Sequence, residues 1–285
     1  MLPADFSLRG RRALVTGASG GLGRHFATVL AAAGAEVVLA ARRRDALADA
    51  VAALRADGRV AHAVALDVTD EASVAEAFAQ AEAVLGAQVD LLINNAGIAD
   101  GGFVHELSVE QWDRVVDTNL KGPWLVSREF ARRLIAGGRP GVVVHVASIL
   151  GQRVAQAVSS YCASKAGLLH LTEAQALEWS RHGIRVNALA PGYIETDMNR
   201  DFFAGEAGQR LVKRMTARRL GQADELNGAL LLLCSDGLTG ELLDEEIRAL
   251  IDDADTLEDA LEKLIGAALW RGGRDNITAV LVRIP

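Results

Sequence analysis

Along this chain, short apolar runs rich in β-branched residues alternate with longer stretches in which alanine and leucine recur at helical spacing between charged positions. RALVTG leads into a helical pattern over 21–33, EVVLAA into one over 44–56, and VAHAVAL into one over 71–86. VDLLINN is followed by helices reaching about residue 136, GVVVHVAS by 159–181, and IRVNALAP closes the series. Strand and helix in strict alternation predict a parallel sheet with helices on both faces. VVLAA and VVVHVA are apolar throughout because such strands are covered on both sides. Right-handed crossovers then give an α/β, doubly wound, Rossmann-like sheet, whose ligands bind beyond the carboxyl ends of the strands.

Composition narrows the class of protein. A chain of 285 residues with 50% hydrophobic content buries a large core, as one large domain or two small ones. The formal charge of −7 argues against nucleic acid or an anionic membrane as main partner. That excess lies in residues 236–285, with twelve acidic and five basic side chains; residues 1–235 are balanced. Cys162 and Cys234 suit neither a disulfide framework nor a metal site. MLPADFSLRGRR lacks an apolar leader, and ALLLLC is too short to span a bilayer. The expectation is a soluble, cytoplasmic protein acting on small molecules, with no membrane or nucleic-acid partner and no metal.

The chemistry-bearing positions fall at strand ends. The first strand runs into TGASGGLG, with Gly17, Ser19, Gly21, Leu22 and Gly23 at a strand-to-helix turn. Glycines there let a phosphate approach the backbone at a helix N-terminus, which suits a dinucleotide pyrophosphate; a merely tight turn is the alternative. The second strand ends Ala41, Arg42, Arg43, Arg44. A carboxylate at this point would hold the ribose hydroxyls of NAD, whereas arginine meets the 2′-phosphate of NADP. Arg42 is the expected phosphate contact, with Arg43 and Arg44 open to a second reading as a solvated helix start. Gly20, where a further basic residue would strengthen the preference, leaves NAD as the alternative cofactor.

The fifth strand ends in Ser148, and Tyr161 and Lys165 follow in YCASK. Four residues apart on a helix, the phenol and the ammonium share one face. A nearby cation should lower the phenol pKa from about 10 and suit Tyr161 to general acid and base work on a carbonyl or alcohol. Ser148 can hold the same oxygen.

These residues carry a resemblance. Residues from about 8 to 235 resemble the short-chain dehydrogenase/reductase superfamily: TGASGGLG at 16–23, LDV at 66–68, NNAG at 94–97, TNLKG at 118–122, VASILG at 146–151, YCASK at 161–165 and NALAPGYIETDM at 187–198 occur in order. The resemblance implies catalysis by Ser148, Tyr161, Lys165 and Asn119, with Asn119 kinking its helix. It implies that Asp67 and Val68 border the adenine and that Asn94, Ala96 and Gly97 close the cofactor floor. Lys165 would also bind the nicotinamide ribose, and Pro191, Gly192, Ile194 and Thr196 would surround the nicotinamide. The implied reaction is reversible hydride transfer between NADP(H) and a carbonyl or secondary alcohol, in a dimer or tetramer. Gln152, Val154 and Tyr193 are candidates for the substrate pocket, and Phe202 and Phe203 for its cover.

After Asp236 the chain departs from that pattern. SDGLT and GGRDNIT resemble the C-terminal part of metal-dependent serine/threonine phosphatases, where Asp236 and Asp275 would be metal ligands. Two carboxylates do not make a two-metal centre, so no phosphatase activity is expected. The tail reads as a fusion: 1–235 a dehydrogenase domain, 236–285 a segment packed on the sheet edge, with ITAVLVRI as its last strand. A dinucleotide-binding scaffold, impaired by the replaced C-terminus, is the alternative function.

Overall fold

The structure, a computed structural model, describes residues 7–234 and the isolated positions 249, 250, 253, 259 and 263. In chain order the elements are β1 (Arg12–Thr16), α1 (Gly21–Ala32), β2 (Glu36–Ala41), α2 (Arg44–Ala56), β3 (Ala61–Ala65) and α3 (Glu71–Leu85). The second half adds β4 (Leu91–Asn94), α4 (Val109–Val116), α5 (Gly122–Ala136), β5 (Gly141–Val146), α6 (Ser159–Trp179) and β6 (Ile184–Leu189). Three short helices follow: α7 (Arg200–Ala204), α8 (Glu206–Arg214) and α9 (Asn227–Cys234). The strands form one parallel sheet in the order β3-β2-β1-β4-β5-β6. Winding runs outward from β1 in one direction and from β4 in the other, so their carboxyl ends open a crevice.

Alternation along each strand divides the core. Ala13, Val15, Leu39 and Ile93 pack with Phe26 and Leu30 of α1, Leu47 of α2 and Leu230 of α9. Leu14, Val38, Leu92 and Val143 point the other way, toward Phe78 of α3 and Phe130 and Leu134 of α5. Both faces are therefore dry, and each fully buried Leu or Phe contributes about 2 kcal/mol. The doubly wound reading of the sequence is the fold observed.

Local signals set the helix ends. Asp70 caps α3 by accepting a hydrogen bond from the Ala72 N–H, and Gly86 closes that helix in the left-handed region. Ser108 and Gln111 form a reciprocal capping box at α4. Between α4 and α5, residues Asp117–Lys121 form a π turn containing Asn119, the kink expected at that residue.

Among the described residues no helix is long and apolar enough to cross a membrane, and no cluster of three or more His, Cys, Asp or Glu side chains is placed to hold a metal. Cys162 and Cys234 are both free and buried. Asp236, Asp275, the domain boundary near 235 and the strand expected of ITAVLVRI lie outside the described residues.

Candidate active site at the carboxyl edge of the sheet

A cleft of about 800 Å³ takes wall residues from the carboxyl end of every strand, among them Gly17, Ala41, Leu66, Asn95, Val146 and Pro191. One end holds the glycine-rich turn. Gly17 adopts φ +66° and faces β4 so closely that a Cβ would stand 2.8 Å from Ala96 Cα. Thr16 fastens the two loops: its hydroxyl accepts from the N–H groups of Asn95 and Ala96, both at 3.0 Å. Asn95 Nδ2 returns a bond to the Thr16 carbonyl at 3.0 Å. Gly23 stands behind the turn, where a Cβ would meet the Gly17 carbonyl oxygen at 2.5 Å, so it allows α1 to approach and does not form the cleft wall.

Past β2, Arg42 and Arg43 both line the cleft with Ser19, Gly20, Gly21 and Leu22. Arg43 donates to the Ser19 hydroxyl at 3.0 Å, so it is part of the site and not only a solvated helix start. Arg42 lies 4.0 Å from the Asp67 carboxylate. Partial burial opposes ionisation of Asp67, but two hydrogen bonds from Thr69 and the Arg42 charge outweigh it and hold the carboxyl below its usual range. Val68, Ala96 and Gly97 line the same cleft.

Two asparagines sit elsewhere than on its walls. Asn94 is buried, donating to Ser127 at 2.7 Å and lying 3.3 Å from His145 Nδ1; it ties β4 to α5 and β5. The cleft residue of the pair is Asn95, its neighbour. Asn94 is the last paired residue of β4, and its side chain follows the strand into the core. Asn119 is fully buried behind the floor: it accepts from the Ile98 N–H at 2.8 Å, donates to the Ile98 carbonyl at 2.9 Å and to Ser164 Oγ at 3.2 Å.

The other end of the cleft gathers Ser148, Tyr161 and Lys165. Ser148 caps the short turn after β5, its Oγ accepting from the Leu150 N–H at 3.1 Å. Lys165, 4% exposed, donates from Nζ to the Val146 carbonyl at 2.7 Å and lies 5.7 Å from the centre of the Tyr161 ring. Desolvation lowers its pKa to about 8. Tyr161 differs from the expectation: burial raises its pKa and outweighs the lowering hydrogen bond with Ser148. Burial thus favours the neutral phenol over the phenolate.

Behind Lys165, His145 is completely buried and 2.8 Å from Gln175 Oε1. Desolvation, which outweighs the Gln175 hydrogen bond, lowers its pKa to about 4. Pro191, Gly192, Ile194 and Thr196 line the cleft, together with Tyr193, Phe202 and Phe203. Tyr193 packs edge-on to Phe203 with ring centres 5.7 Å apart. Gln152 and Val154 do not line the cleft, and Val154 is 87% exposed; Ala155, Gln156 and Ala157 take that place. A dinucleotide fits these residues: the glycine turn leaves no Cβ in the way of a phosphate, and two guanidiniums flank it.

A parallel sheet with a glycine-rich first turn and a Ser–Tyr–Lys cluster across one cleft defines a dinucleotide-dependent oxidoreductase class. Residues 11–207 match the short chain dehydrogenase family, and the chain belongs to that family. It is 40% identical over 234 residues to gluconate 5-dehydrogenase of Gluconobacter oxydans, covering 82% of this chain and 91% of that protein. It is 35% identical to the 3-oxoacyl-[acyl-carrier-protein] reductase FabG of Escherichia coli, covering 83% of this chain and 96% of the relative. Among solved structures it superposes on a gluconate 5-dehydrogenase from Burkholderia cenocepacia in complex with NADP and tartrate. That match has a TM-score of 0.77 and 36% identity, over 81% of this chain and 91% of the other.

Proposed function

We propose that the protein interconverts a carbonyl compound and a secondary alcohol with NADP(H), Tyr161 carrying the proton. The observation behind this reading is that one cleft holds the glycine turn, the Arg42–Arg43 pair and the Ser148–Tyr161–Lys165 cluster. NADP bound in the solved relative supports the same cofactor here. When bound, the reduced nicotinamide supplies the hydride and its oxidised form takes one back.

Gly17, Ser19, Gly21 and Leu22 hold the pyrophosphate, and Arg42 and Arg43 the 2′-phosphate. Asp67, Val68, Ala96 and Gly97 border the rest of the cofactor, with Lys165, Pro191, Gly192, Ile194 and Thr196 around its reactive end. Ser148 fixes the carbonyl oxygen and the buried, protonated Tyr161 donates to it. Asn119 and the Val146 carbonyl fix the floor and Lys165. Residues 1–235 form the dehydrogenase domain, and 236–285 add no phosphatase activity. Copies pair through α5 and α6, whose outer faces expose Trp124 and Leu177.

The test is a titration with NADPH and NADH, followed by NADPH oxidation with simple diketones. Tight NADPH binding with turnover that Tyr161→Phe abolishes supports the reading. Binding without turnover of any carbonyl favours a dinucleotide-binding scaffold, and binding of neither cofactor refutes both.

A further inference from the structure

We infer that the substrate is a neutral carbonyl compound with an apolar flank, not a sugar acid, although several relatives are named for gluconate; this rests on the oxidoreductase reading above. Among the described residues, the basic side chains of the cleft are Arg42, Arg43 and Lys165. The two arginines stand past β2, at the glycine-turn end, and Lys165 is committed to the Val146 carbonyl.

Leu150, Ala155, Ala157, Tyr193, Met198 and Phe202 line the same cleft as Ser148 and Tyr161. Gln156 and Asn199 add uncharged amides, the Asn199 one already engaged with the Thr196 N–H and the Ile194 carbonyl, and Asp197 adds a carboxylate. Arg200 lies outside the walls and pairs with Asp197, and Arg153 is likewise absent from them. A substrate carboxylate placed here would lose water without gaining a cation from the described wall residues, which opposes binding. An alkyl or ester flank, in contrast, gains from covering Leu150, Met198 and Phe202.

The reduction balances on this substrate as on any ketone. The carbonyl carbon takes the hydride of NADPH, the oxygen takes the Tyr161 proton, and water restores that proton to the phenol. No charge on the substrate takes part, so its removal costs the chemistry nothing.

The test compares ethyl acetoacetate, acetoacetate and 5-keto-D-gluconate with NADPH in the full-length protein. The ester should exceed both acids in kcat/KM by at least roughly 100-fold, because each acid would bury an unpaired charge. Calorimetric titration of the NADPH-loaded Tyr161→Phe variant should give the same order of affinities without turnover. Gln156→Arg places a cation on this wall and should raise kcat/KM for the acids by about 10-fold, through one charge-assisted contact.

Equal or better turnover of either acid by the native protein, lost in Tyr161→Phe, overturns the substrate assignment and leaves the oxidoreductase reading standing. Turnover of neither ester nor acid with NADPH bound overturns both. Acid turnover unchanged in a folded Gln156→Arg variant counts against placing the flank on this wall, and so overturns the assignment as argued.

Discussion

Replacing Arg42 and Arg43 together with alanine should remove the preference for NADPH over NADH and leave the cofactor site otherwise intact. Both guanidiniums line the cleft just past β2, one near Asp67 and the other on the Ser19 hydroxyl. Both residues are exposed, so their truncation costs little core packing. A hydrogen bond to a charged group contributes about 1.5–3 kcal/mol. Solvent and salt at this open end reduce each contact to about 1–2 kcal/mol. Two contacts amount to about 2–4 kcal/mol, and the Kd for NADPH should rise roughly 30- to 1000-fold. NADH has a hydroxyl in place of the 2′-phosphate, so its Kd should move by less than about threefold. Reduced-nicotinamide fluorescence titrations of native and variant protein, with melting curves to show folding, measure both. Equal weakening of the two cofactors, or an NADPH shift below about fivefold, would refute the placement of the 2′-phosphate between these arginines.

Tyr161→Phe removes the proton donor while keeping the ring, so kcat should fall by about 10²–10⁴-fold with NADPH affinity nearly unchanged; a smaller loss in stopped-flow turnover would reassign the proton. Gly17→Ala places a Cβ 2.8 Å from Ala96 Cα at φ +66°, where the left-handed conformation alone costs about 1–2 kcal/mol. Calorimetry should show a Tm lower by several degrees and titration a weaker NADPH complex; unchanged values would mean that the turn relaxes freely. His145, neutral in the fold with a pKa of about 4 against the ordinary 6.5, is protonated earlier in the unfolded chain. Stability is therefore fully present above pH 6.5 and falls as pH drops toward 4, by about 3 kcal/mol in total. A His145→Asn variant should lose Tm less steeply across that window, and parallel curves would show that other groups carry the acid sensitivity.

The alternation of apolar runs and amphipathic stretches determined the parallel doubly wound sheet, because a strand buried on both faces has to be apolar throughout and its crossover helix amphipathic. EVVLAA and GVVVHV became β2 and β5, and the 159–181 pattern became α6. Chain spacing likewise determined that Tyr161 and Lys165 share a helix face, and TGASGGLG that a backbone turn would open at the end of β1. Facts between distant segments were not legible. Whether Asn94 or Asn95 faces the cleft depends on the pleat where β4 ends, and only the fold shows Asn94 turned toward Ser127 and His145. That Arg43 reaches Ser19 depends on how β1 and β2 lie side by side. The direction of the Tyr161 pKa depends on burial, which neighbouring elements impose and four-residue spacing does not encode. Sequence specified the chemistry available at each strand end; the tertiary structure decided which groups meet, since distance, desolvation and the direction of a side chain arise only when the strands stand next to one another.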